Sequence, residues 1–316
     1  MDSKYKDELK AKIQTYKDIM NNKVKDEEKI KQFSWVLEKD KQFINDKQAS
    51  VRFGIPIYPT GNVKNGNLYL CLNNPSIENS QEYDKNKAYS IIKYAKKHEL
   101  LNGIESQNVN GNFLIDGQFD ELPPRNHKNI ISSEIEDSKL NGKEMGYYCT
   151  HYFKNFIKNG LYNDKDKISK LSACNLEFFP YRSVRINDVK IKRNKSKELY
   201  KMPSVQISLK IISDRLEVYE KNKNVKPIFI FRGYDKWWEP ALIKYLGEQK
   251  FNKYSSMFFT FSSYQCACIS SNNLLNIKGH KKLKTIKKSA YKDNLRVELK
   301  KEAWKSLPTY ISSMFE

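Results

Sequence analysis

A chain of 316 residues, 39% hydrophobic and 30% charged, is long enough to bury a large core and polar enough to keep a well-wetted surface. Its 57 Lys and Arg against 37 Asp and Glu leave a formal charge of +20, a field that attracts polyanions such as DNA, RNA or anionic lipid. No apolar run approaches the roughly 18 residues of a membrane span, and the charged opening MDSKYKDELK lacks the hydrophobic region of a secretory signal. No membrane partner is expected, and the expected location is cytoplasmic.

Residues 1–48 hold 12 lysines against 10 acids, so the excess charge lies elsewhere. Ile13, Tyr16, Ile19 and Met20, then Ile30, Phe33, Val36 and Leu37, recur at helical spacing. One or two amphipathic helices are expected there, with an apolar face for a core or a protein partner. GNLYLCLNNPS (66–76) carries a continuous apolar run that stops at Asn73-Asn74-Pro75-Ser76, as in a strand covered on both faces. KAYSIIKYAKKHELL reads as a helix. The Gly-, Asn- and Pro-rich stretch after it suits an excursion with loops. YYCTHYFKNFIKNGL (147–161) returns to helix, with Tyr148, Tyr152, Phe153, Phe156 and Ile157 on one face and Gly160 as C-cap.

A further strand is expected over about 171–179, within SACNLEFFPYRSVRI. Alternation places Asn175 and Glu177 on one face of it, and Pro180 ends the ladder before Tyr181 and Arg182. The loop 182–201 holds eight Lys/Arg against two acids. A helix follows from Pro203, with proline suited to its first turn. KPIFIFRG is a third strand, DKWWEPALIKYLGE a helix and SMFFTFSS a fourth strand. QCACISSNNL reads as a loop. Residues 276–305 hold eleven Lys/Arg against three acids, and Leu283, Ile286, Ala290 and Val297 give them the pattern of a basic amphipathic helix. The expected fold is α/β, a three-layer α/β/α arrangement on a mostly parallel sheet of about four strands. Its expected organisation is a charged helical extension over 1–50, a core over 51–275 with an insertion near 100–146, and a basic helix over 276–316 packed on that core.

Five scattered cysteines without a C-x-x-C, and four isolated histidines, carry no metal or cluster signature, so neither metal nor cofactor is expected. The chain has no phosphate loop, no dinucleotide fingerprint and no serine elbow. Asp116, Asp120 and Glu121 are candidate ligands for a Mg²⁺-dependent nuclease, at a spacing that matches nothing specific. In a parallel α/β sheet, sites form at the carboxyl edge. The candidates are therefore the polar groups that end the strands.

Taken in order, those strand ends resemble the uracil-DNA glycosylase superfamily, over about 40 residues spread between 68 and 275. LCLNNPS is similar to the family's first motif, with Ser76 in place of its glycine. CNLEFFPYRS is similar to the second, with Asn175 in the place of the base-reading amide. KPIFIFRG looks like the third strand, and SSNNLL stands where the family carries a His-Pro-Ser loop. The resemblance implies that Asn73 and Asn74 position water, that Asn175, Arg232 and Ser76 meet the substrate, and that Tyr181 or Phe179 stacks on a flipped base. Ser271 and Asn272 would then donate hydrogen bonds to the base or a phosphate, with Arg182 beside Tyr181. Arg185, Lys190, Lys192, Arg193, Lys281 and Lys282 would hold phosphates. The sequence also departs from the family. Amides cannot accept a proton from water, and the last loop has no histidine. The expected function is action on DNA: hydrolysis of a base–sugar bond without metal or, alternatively, nucleic-acid binding or phage defence on the same fold without the chemistry.

Overall fold

The structure, a computed structural model, describes residues 3–45, 56, 59–75, 87–97, 130–141, 146–160, 163–183, 185–223, 225–263, 267–286 and 290–315. The candidate nuclease carboxylates at 116, 120 and 121, the expected excursion after residue 101, and Ser76 lie outside them. The chain forms two compact units, each assembled from separated stretches. One comprises 1–58, 73–126 and 177–209; the other comprises 59–72, 127–176 and 210–316.

The second unit holds a five-stranded sheet, one strand more than expected. Its strands are β1 (Leu68–Leu72), β2 (Ala173–Glu177), β3 (Ile228–Phe231), β4 (Phe258–Phe261) and β5 (Leu274–Asn276), in the order β2-β1-β3-β4-β5. β1, β3 and β4 run parallel, with Tyr69 opposite Phe229 and Ile230 opposite Phe259; β5 returns antiparallel to β4. The architecture is mixed α/β, consistent with three layers, because the strands are apolar on both faces. Leu68, Leu70, Ile228, Ile230 and Phe259 join one core with Phe153, Phe156, Trp304 and Ile311. On the other face Tyr69 stacks on Phe229 at 4.7 Å, and Phe231 meets Trp238 at 5.4 Å. Trp238 is fully buried there and Trp237 nearly so, so both rings serve core packing. Gly61 lies at φ +88°, and a Cβ there would meet the Ala173 carbonyl at 2.6 Å, so glycine is required beside β2.

The basic tail forms two helices, Ile277–Thr285 and Ala290–Lys305. Their inner face is Leu283, Leu295 and Leu299 against Leu275, whereas Val297, expected to point inward, is exposed.

In the first unit, helices Ser3–Met20 and Glu27–Gln32 bury Tyr16, Ile19, Met20 and Ile30, as their spacing implied. Asp26 caps the second helix through the Glu28 and Lys29 amides. The basic loop is not featureless: Lys190–Ile191 pairs antiparallel with Ile44–Asn45, and short helical turns flank it. The unit's polar centre is Asp40, which is fully buried. Its carboxylate accepts from the Tyr181 hydroxyl at 2.5 Å and from the Ser204 amide, at the start of helix Pro203–Asn222, at 3.3 Å. Burial raises the Asp40 pKa from 3.8 to about 6, and the Tyr181 bond opposes that rise. Between those two values the folded state holds a proton that the unfolded state has lost, so this group's contribution to stability declines as pH rises through that window. Asp40→Asn should therefore gain on the wild type in urea denaturation as pH rises from about 4 to about 6. A pH-independent difference would show that the carboxyl does not titrate there.

Candidate functional site

The turn after β1 belongs to the first unit and is tightly tied. The Asn74 amide nitrogen donates to the Pro75 carbonyl (3.0 Å) and to Ser183 Oγ (2.7 Å). Ser183 Oγ donates to the Arg185 carbonyl (2.9 Å), and the Ser183 amide donates to Pro75 O (3.1 Å). Asn74 thus holds the turn. Asn73 differs: its backbone carbonyl accepts from the Phe179 amide (2.8 Å), while its side-chain oxygen is buried without a hydrogen-bond partner among the described residues. Tyr181 is not a stacking platform. It is fully buried, and its hydroxyl accepts from the Leu37 amide while donating to Asp40. Phe179, the alternative platform, is buried as well. Arg182 is half-buried, and its charge opposes the rise that burial gives the Tyr16 pKa.

In the second unit Asn175 is fully buried, and its backbone pairs with Thr60 in both directions at 3.0 Å. β3 ends at Arg232 and Gly233, the latter at φ +68°. The left-handed glycine lets the chain leave the strand into the wide π-helical turn Tyr234–Trp238. The Arg232 amide bonds the Cys71 carbonyl, and its guanidinium donates to the Tyr152 hydroxyl at 3.0 Å. Arg232 lines a shallow cleft of about 220 Å³, open mouth included, with Gly233, Thr260, Phe261, Ser263 and Ala267. Its spacing in the sequence puts Tyr152 only on a buried apolar face. Its hydroxyl has a partner 80 residues away, and no local pattern reports that.

The expected ligand loop resolves into two kinds of residue. Ser271 and Asn272 are exposed at a turn. Asn273 is buried, and its side chain accepts from Ser262 Oγ (3.0 Å) and the Ser263 amide (3.2 Å) and donates to the Cys268 carbonyl (3.1 Å). Asn273 therefore locks the β4–β5 connection. On the tail, Lys281 does not offer a free charge to phosphate, because it pairs with Glu239 at 2.5 Å. Lys282 is exposed.

The segment 185–201 of the first unit holds seven Lys/Arg against two acids. Glu198 pairs with Lys195 and Lys201, and Lys195 Nζ also lies 5.8 Å from the centre of the Phe43 ring. Lys190, Lys192, Arg193 and Lys197 are exposed and have no ion-pair partner among the described residues. Arg185 is exposed beside them in sequence. Among the described residues no group of three or more His, Cys, Asp or Glu is arranged to hold a metal. No described helix is long and apolar enough to cross a membrane. No family model, curated protein or solved structure matches the chain.

Asn273 and its exposed neighbours should separate cleanly on mutation. Asn273→Ala strands buried donors and acceptors and should lower stability by about 1–3 kcal/mol in urea denaturation. Ser271→Ala and Asn272→Ala should each stay within about 0.5 kcal/mol. The reverse order would mean that Asn273 does not hold the loop.

Proposed function

We propose that this protein binds nucleic acid, and DNA foremost, through the basic ribbon and turns of residues 185–201. One observation carries the reading: Lys190, Lys192, Arg193 and Lys197 lie within eight residues, exposed and unmatched by acid among the described residues, while the segment's Glu198 is used internally. Long exposed cations neutralise phosphates and release the counterions condensed on them. Held on a two-residue ribbon and the turns that follow it, they keep a fixed spacing, which favours a regular polyanion over scattered anions. Affinity for labelled oligonucleotides, followed by fluorescence anisotropy, should fall linearly with salt on logarithmic axes. Replacing all four residues by alanine should reduce the slope by about 0.9 for each lost phosphate contact. A wild-type protein with no binding at physiological salt, or a quadruple variant with an unchanged slope, would exclude this surface.

The buried, unpartnered oxygen of Asn73 supports a second reading, in which the turn after β1 orients water for base–sugar hydrolysis. In that reaction water bonds the sugar C1′, the C1′–N bond breaks, and the base leaves with a proton. An abasic-site assay on uracil-, hypoxanthine- and mismatch-containing oligonucleotides decides it. The reading expects product from at least one substrate and its loss in Asn73→Ala; no product at enzyme excess rejects it.

A further inference from the structure

Tyr147 opens the short helix Tyr147–His151 and is 44% exposed, unusual for so large a ring in a chain that buries most of its aromatics. The structure fixes that ring from several sides. His151 lies against it at 4.5 Å, and Tyr148 and Tyr152 meet it edge-on at 5.7 and 5.8 Å. The helix start is itself fixed, because the Glu134 carboxylate accepts from the Tyr148 and Cys149 amides at 2.9 and 2.6 Å. Those amides are therefore taken, and the helix end is not an anion site. The cation is Arg232: its guanidinium donates to the Tyr152 hydroxyl at 3.0 Å, and the Tyr152 ring meets the Tyr147 ring at 5.8 Å; burial opposes its charge, but the two hydroxyls hold its pKa above the usual arginine value. Arg232 faces the cleft at the ends of β3 and β4, and Tyr152 connects it to the cleft wall, 5.9 Å from the Phe261 ring.

We infer that Tyr147 and Arg232 form a subsite for single-stranded nucleic acid, in which an unpaired base stacks on the Tyr147 ring and the adjacent phosphate meets the Arg232 guanidinium. A rigid exposed ring beside a cation is the recurring solution for gripping single strands, because every base has a π-face and every link carries a charge. A duplex hides its base faces within the stack and offers this ring little. The inference rests on the nucleic-acid reading above, and adds strand form and a second contact region within the other unit.

The test uses a single-stranded oligonucleotide containing 2-aminopurine, whose fluorescence is quenched on stacking, with the full-length protein. Wild type should quench it. Tyr147→Ala should abolish the quench and weaken single-strand binding about five- to hundredfold, while leaving the affinity for a blunt duplex within about twofold. Tyr147→Phe keeps the ring and should keep the quench. Arg232→Gln should reduce the single-strand salt slope by about 0.7. Undiminished quenching in Tyr147→Ala overturns the subsite. Wild-type binding that depends on Lys190, Lys192, Arg193 and Lys197 without any quench overturns it too, yet leaves the basic surface standing. Failure to bind any oligonucleotide removes both. Equal affinity for poly-glutamate would overturn it in favour of an acidic-protein site.

Discussion

β1, β3 and β4 carry an apolar side chain at nearly every position, so neither face of the sheet can meet water. Helical layers must cover both faces, and parallel strands with crossover helices do this with short connections. The second unit follows from that requirement. Phe153, Phe156, Trp304 and Ile311 close one side, and Trp238 and Phe251 close the other. With both faces occupied, polar groups can gather only where strands end, which is where Arg232, Gly233 and Ser263 sit. The first unit solves the opposite problem. It buries a carboxyl at Asp40 and surrounds it with donors from Tyr181 and Ser204.

Much of this was legible in the sequence, because continuous apolar runs of four or five residues report a two-faced strand directly. LYLCL, IFIF and FFTF needed no partner to be recognised. β5 was not legible, since Leu-Leu-Asn carries no period of its own and is a strand only by pairing with Phe261, Thr260 and Phe259. The ribbon at Lys190–Ile191 was hidden for the same reason: its pairing with Ile44–Asn45 gives a basic run a backbone role that composition does not encode.

The candidate site was legible in position more than in role. Tyr181 follows a strand-ending proline and reads as ligand-facing, but a buried carboxyl 141 residues earlier claims its hydroxyl. In SSNN, four small polar residues look alike, and only the fold turns Asn273 inward and leaves Ser271 and Asn272 outside. Tyr147 shows the converse. The helical pattern that buries Tyr152 and half-buries Tyr148 leaves Tyr147 off the apolar face, a hint of exposure, while its link to Arg232 through Tyr152 depends on how the helix meets the sheet edge.

Affinity and chemistry make different demands, and the described residues meet the first more fully. Phosphate binding needs exposed cations at a fixed spacing, and 185–201 supplies them. Breaking a base–sugar bond needs either a group that takes a proton from water or dipoles that stabilise the charge leaving on the base. Asn73 and Asn74 are amides, so they can orient water but not deprotonate it, and Asn74 spends its nitrogen on Pro75 and Ser183. Glu177 is a carboxylate near the end of β2, but it is buried. If the turn after β1 catalyses anything, bond breaking must therefore run ahead of water attack, with the leaving base held by fixed dipoles and not helped by a base catalyst. Such a site depends on grip: the base must be taken out of its stack and held still before the bond weakens. The surfaces proposed above to hold a strand would then serve a binding protein or an enzyme, and only the bond-breaking step would distinguish the two.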